Sequence, residues 1–185
     1  MGVSQLDLRS GKLVIVAHCL LNPNTKVLGV ARRSSALWPL LKAIEDHDCS
    51  IFQLPCPELG YYGYNRFWAT VEQLDTPGFR RYCRKLATLA LDSLVELARN
   101  GIRILALVGV EGSPSCAVGK TTSGSWRGDP HLAGETRKVS KPGVFMAELI
   151  QLMREAGLDA PALDIREKSP EEGIRQLRLI LRGSA

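Results

Sequence analysis

Long apolar runs are missing from the 185 residues, and this absence excludes the most. The longest run near the N-terminus, Leu13 to Ala17, stops at His18, far short of the ~20 residues a membrane span needs. It is also too poorly flanked for a signal peptide, and Met-Gly-Val-Ser-Gln-Leu lacks the Ser or Thr that N-myristoylation wants at position six. A cytoplasmic protein with no membrane partner is the expectation. Cysteine is scarce: five residues, at 19, 49, 56, 83 and 116, odd in number and without a short spacing, which excludes a secreted disulfide framework. Neither sign of charge dominates. Twenty-four Lys and Arg against nineteen Asp and Glu leave +5, compatible with anionic ligands but short of a nucleic-acid footprint, so no nucleic-acid partner is expected. No feature fixes an oligomeric state.

What is present is an ordinary globular composition, 45% apolar and 23% charged, at a length that suits one domain over residues 1–185. Lys12 to Ala17 is apolar and β-branched, the pattern of a strand buried on both faces. Ser34 to His47 carries Leu37, Leu40, Leu41 and Ile44 at helical spacing, with Pro39 tolerable in the first turn. Ser50 to Leu54 reads as a second strand, stopped by Pro55-Cys56-Pro57. Thr76 caps a helix from Pro77 to Asn100 that ends at Gly101, and Ile102 to Val110 is a third strand. Residues 117–143 show no period and read as one long loop. A helix over 142–157, a short strand at 162–165 and a helix from Ser169 to Leu181 complete the chain. Alternating strands and helices predict an α/β fold with a mainly parallel open sheet and helices on both faces.

Cys19, Cys56 and Cys116 each follow one of the first three predicted strands. The carboxyl ends of parallel strands form one rim, where α/β proteins bind ligands, and neighbouring strands stand about 4.8 Å apart. Three thiols on that rim can therefore meet. Converging thiolates suit zinc or an iron-sulfur cluster, and three protein ligands leave a position open. Each cysteine taken alone also fits as a small buried hydrophobe. Cys83 falls inside the long helix and Cys49 at a turn, away from the rim.

His18-Cys-Leu-Leu21, Leu54-Pro-Cys-Pro-Glu-Leu-Gly60 and Gly112-Ser-Pro-Ser-Cys116 resemble the three blocks of the DUF523 proteins, the thiouracil desulfidase family. Tyr64-Asn-Arg-Phe-Trp68 and Asp75-Thr-Pro77 are similar to a longer desulfidase subgroup, so that the likeness spans roughly residues 13–130. The resemblance implies a 4Fe-4S cluster held by Cys19, Cys56 and Cys116, with the fourth iron free to take the sulfur of a thiocarbonyl substrate. It further implies that Glu58 and a serine of the Ser113-Pro-Ser115 turn take part in hydrolytic removal of that sulfur. Ala117 stands where the family usually has glycine, and the segment after Gly60 differs from the better-studied desulfidases.

The residues themselves carry part of this chemistry. Glu58 lies two positions from Cys56, and in an extended stretch the two side chains share a face. A carboxylate beside the ligand suits a general base or acid. Ser113 and Ser115 can donate to a developing anion, although serine flanking proline is also common turn chemistry. The stretch Tyr61 to Trp68 holds five of the chain's eleven aromatic residues. Tyr62, Asn65 and Arg66 are candidates there for contacting a planar heterocycle, with a flap over the core or a dimer contact as alternatives. Lys120 and Trp126 are candidates for anchoring and covering a small thiolated substrate. Gly119-Lys-Thr mimics a P-loop, but Pro114 replaces the first required glycine. The alternative to a desulfidase is a non-catalytic carrier or sensor in which the thiolates bind a cluster or zinc, with His18 or His131 closing the zinc site.

Overall fold

Leu13, Val14, Ile15 and Val16 are all buried, as a continuous apolar strand must be when both faces of its sheet are covered. They belong to β1 (Lys12–Val16) of a computed structural model that describes residues 7–125, 130–132 and 134–183. After β1 come a single turn, α1 (His18–Leu21), a 3-10 turn at Pro23–Thr25, and α2 (Trp38–Glu45), whose Pro39 sits in the first turn. The chain continues through β2 (Ser50–Gln53), α3 (Pro57–Tyr62), α4 (Val71–Leu74) and α5 (Pro77–Arg99), the last capped by the Thr76 hydroxyl. Then follow β3 (Arg103–Val110), β4 (Thr121–Gly124), a 3-10 turn at Pro130–Leu132 and β5 (Thr136–Val139). α6 (Val144–Glu155), β6 (Ala162–Ile165) and α7 (Glu171–Gly183) end the described chain.

The four strands β2, β1, β3 and β6 make one sheet in that order, every pair parallel. Helices flank it, with α5 against α6 and α2 against α7. The connection from β1 runs outward to β2, whereas those from β2 and β3 run the opposite way, so the strand order reverses between β1 and β3. In open α/β sheets the crevice at such a reversal is where ligands bind. The apolar centre is formed by β1 and β3 with Leu20, Leu40, Phe79, Leu94, Phe145 and Leu149 packed on them.

The long unpatterned loop expected over 117–143 is not one loop. Its two ends pair as an antiparallel hairpin, β4 against β5, with Thr121 opposite Val139 and Gly124 opposite Thr136. Thr121 and Thr122 bury their hydroxyls on the carbonyls of Ser113 (2.9 Å) and Gly112 (2.8 Å), so the hairpin lies against the turn after β3. Its strands carry no alternation of apolar residues; hydrogen bonds to that turn hold them instead. Among the described residues no helix is long and apolar enough to cross a membrane.

Candidate active site

Cys19, Cys56 and Cys116 line one cavity of about 380 Å3 at the carboxyl ends of β1, β2 and β3. Cys19 is carried by the single turn α1. Cys56 is the N-cap of α3, its sulfur accepting the Leu59 amide at 3.5 Å. Cys116 closes the turn after β3, with its amide donating to Ser113 Oγ at 2.9 Å and its carbonyl accepting the Val110 amide at 3.0 Å. Cys49 and Cys83 do not line this cavity; Cys83 is buried on α5.

Burial pushes the Cys19 thiol up to about 12, partly offset by the Lys26 ammonium. Burial raises Cys56 as well, and raises Cys116 well above the ordinary thiol value, with the neighbouring Cys19 and Cys56 adding to the effect. Such a pocket keeps its thiols protonated until a positive centre replaces the protons, as thiolate coordination of a metal does. Soft sulfur donors fit an iron-sulfur cluster, whose ligands bond separate irons. Among the described residues no group of three His, Cys, Asp or Glu is arranged to hold a metal ion. The histidines considered for a closed zinc site are elsewhere: His18 turns its Nδ1 to the Leu54 carbonyl oxygen (3.0 Å) and to the Gln53 amide nitrogen (2.9 Å), and His131 does not line the cavity.

Glu58 does reach Cys56's side of the cavity, but by a different route from the extended alternation expected. Pro57 opens α3 at its first position, so Glu58 stands in the first helical turn. One Glu58 oxygen accepts a hydrogen bond from Ser115 Oγ, and the other faces Arg66 Nε at 3.4 Å. Ser115 Oγ also lies 3.3 Å from Ser113 Oγ and 3.4 Å from Cys116 Sγ, where with its own proton given to Glu58 it stands as an acceptor. A carboxylate, a buried hydroxyl and a thiol therefore form one connected set on the cavity wall.

Arg66 lines the cavity, yet its guanidinium is committed. It donates to the carbonyls of Gly63 (3.0 Å) and Thr25 (2.6 Å) as well as facing Glu58, and its side chain is only 6% exposed. The structure thus gives it the geometry of a strut behind Glu58, tying α3 to the 3-10 turn after Cys19. Tyr62, Asn65 and Lys120 fall outside the cavity. Tyr61 and Tyr62 end α3 packed against Phe79, Tyr61 edge-on and Tyr62 tilted, each with centroids 5.3 Å away, so this part of the aromatic stretch covers the core. Trp68, unlike Tyr62, does line the cavity. Trp126 lies outside the described residues.

Among the wall residues that the sequence does not single out are Lys26, Glu167 and Lys138. Lys26 and Glu167 form an ion pair with both side chains 12% exposed, next to Cys19. Glu167 lies two residues beyond β6, so the strand-end rule that picked out the cysteines would have found it too. Lys138, on β5, sits over Gly112, which has φ +87°; a Cβ there would meet the Lys138 ammonium.

The family model described as "Putative 2-thiouracil desulfurase" matches residues 11–141, which contain all three cavity cysteines, Glu58 and Ser115. An uncharacterized protein of Methanocaldococcus jannaschii is 33% identical over 113 residues, covering 61% of this chain and 72% of that protein. The solved structure of TudS, a 4Fe-4S-dependent thiouracil desulfidase, superposes with a TM-score of 0.52 over 91% of this chain and 99% of that one. At 24% identity it shows a shared fold. The family match, which takes in the thiol rim and the Cys-Pro-Glu block, places this chain in the 2-thiouracil desulfurase family.

Proposed function

We propose that this protein is an iron-sulfur-dependent desulfidase that exchanges the sulfur of a small thiocarbonyl heterocycle for the oxygen of water, releasing sulfide. The observation that carries this is the contact between Glu58 and Ser115 in a cavity whose wall includes three separate thiols. Cys19, Cys56 and Cys116 would hold a 4Fe-4S cluster, which when bound supplies a Lewis-acidic iron with affinity for sulfur.

The remaining work falls to the chain's own groups. Balance requires one water per turnover: its oxygen ends on the heterocycle carbon, and its two protons leave with the sulfur. Glu58 holds the position of a base that takes a proton from this water, directly or through the Ser115 hydroxyl. Arg66 fixes the carboxylate from behind, so its accepting oxygen stays aimed at Ser115. Water adding to a thiocarbonyl carbon drives the negative charge onto sulfur, and Ser113, whose hydroxyl is not committed to Glu58, offers a donor for the resulting adduct. The cavity, at about 380 Å3, has the size of a small-molecule site.

Anaerobic reconstitution followed by incubation with 2-thiouracil tests the proposal. Expected are a broad visible absorption band, about four irons per chain, and stoichiometric uracil and sulfide. Failure to take up iron, or unchanged iron content in Cys19→Ala, overturns it. Retained iron with no desulfuration in either wild type or Glu58→Gln would point to the carrier alternative.

A further inference from the structure

Asp164, on β6, lies outside the residues the family model matches, and its carboxylate makes an unusual set of contacts. Oδ1 accepts the amide of Val118 at 2.7 Å, while Oδ2 accepts those of Gly119 at 2.8 Å and Lys120 at 3.0 Å. Three consecutive backbone amides turned toward one point form an anion-binding concavity. Here the anion is the protein's own. Bonds from amides to a carboxylate are stronger than neutral ones, so this carboxylate fixes the path of 118–120 more firmly than a turn alone would.

That path begins two residues after Cys116. On the other side of the cysteine, Ser113 Oγ and the Val110 amide hold its backbone, and Lys120 O accepts the Gly112 amide at 2.7 Å. The loop carrying Cys116 is therefore closed on itself and tied at its far end to β6. Gly109, inside β3, shows how close the fit is. A Cβ there would stand 2.7 Å from Asp164 Oδ1, from the Cys116 carbonyl oxygen and from Val118 Cγ2 alike. Glycine weakens a strand interior and is kept where another group must approach the backbone. At Gly109 the approaching groups are the carboxylate and the loop it holds.

We infer that Asp164 is the positioning residue for Cys116, holding the third thiol on the cavity wall by clamping the three amides that follow it. The importance of the position rests on the cluster reading above; the clamp itself does not, and can be tested without iron.

In the full chain prepared without iron, hydrogen exchange and thiol alkylation by iodoacetamide, both resolved by mass spectrometry, read the clamp directly. Gly119 and Lys120 are exposed residues, so their amides should exchange near unstructured rates unless the carboxylate holds them. In wild type, at least tenfold protection of the 118–120 amides is expected; free exchange overturns the inference without any substitution. Asp164→Asn keeps the size but replaces one acceptor with an NH2 facing the amides. It should raise Cys116 alkylation about tenfold and abolish the 118–120 protection, while Cys83, fully buried on α5, stays unreactive. Gly109→Ala, which wedges the same contact from the opposite side, should reproduce the effect. Unchanged Cys116 reactivity in folded Asp164→Asn overturns the inference, as does a parallel rise at Cys83, which would mean general loosening. After anaerobic reconstitution the Asn variant should lose iron to a chelator faster than wild type. A chain that shows the clamp but takes up no iron would leave the inference standing and defeat the desulfidase proposal.

Discussion

Glu58 and Ser115 are hydrogen-bonded across the cavity, although fifty-seven residues separate them and they belong to different strand-end segments. Such a contact makes the two act as a unit. Glu58→Gln preserves shape and a hydrogen bond but cannot take up the proton, and should lower turnover about 10²- to 10⁴-fold with the iron content unchanged. Ser115→Ala should lower it as well. The double variant should be little worse than the worse single, because removing either member already disables the pair. Sulfide release from 2-thiouracil under anaerobic conditions measures all three. Multiplicative losses would show that the two groups work separately.

Arg66 is expected to behave as a support for the site and the fold. Arg66→Met strips a partner from Glu58 and leaves the Thr25 and Gly63 carbonyls without their donor, in a place where the guanidinium is almost fully covered. Breaking a buried pair on one side costs about 3 kcal/mol or more, read as a lower urea midpoint. Arg66→Lys should recover only part of it, since one ammonium cannot reproduce the planar fork that reaches three acceptors. A variant with normal stability and a purely raised KM would instead make Arg66 a substrate contact.

Cysteine replacement separates the rim from the rest. Serine at 19, 56 or 116 should each reduce iron bound after reconstitution well below the about four atoms expected of a 4Fe-4S cluster. Serine at 49 or 83 should leave the iron content unchanged, even though Cys83→Ser puts a hydroxyl in the core and costs stability. Iron loss in Cys83→Ser but not in Cys19→Ser would relocate the centre.

The rim was legible because its signal is simple. β1 and β3 announce themselves as apolar runs and α5 by its cap and stripe, and the cysteines lie in the segments that follow strands whose parallel order brings their ends together. Contacts made by the main chain leave no such trace. The β4–β5 hairpin is polar and is held by threonine hydroxyls on the Gly112 turn, so no periodicity marks it. Asp164 looks like any strand-end acid until the amides of 118–120 are seen around it. Glu58 lies on the cavity wall, but from the first turn of a helix and not from the extended stretch the sequence suggests. Cys-Pro-Glu reads as extended because proline disfavours helix in the residue before it, yet proline is also well suited to open the helix that follows.

Glu72 links that unannounced hairpin to the rest of the chain, and it does so in a pH-dependent way. From α4 it accepts the Ser123 hydroxyl at 2.7 Å and the Gly124 amide at 3.0 Å, both on β4. Partial burial pushes its carboxyl up, but these donors, its own backbone amide and the Thr70 hydroxyl outweigh that and bring it from 4.5 down to about 2. A carboxyl held lower in the folded chain than in the unfolded one binds fewer protons when folded. Its stabilising contribution is therefore complete above about pH 4.5 and disappears as the pH falls toward about 2. Glu72→Gln should lower the thermal midpoint at neutral pH by a small amount, since the side chain is partly solvated and the bonds screened. The gap between wild type and variant should then narrow through that acid window and close at its lower end, with hydrogen exchange at 121–124 rising in step. A constant gap across the window would show that the carboxylate charge has no part in holding the hairpin.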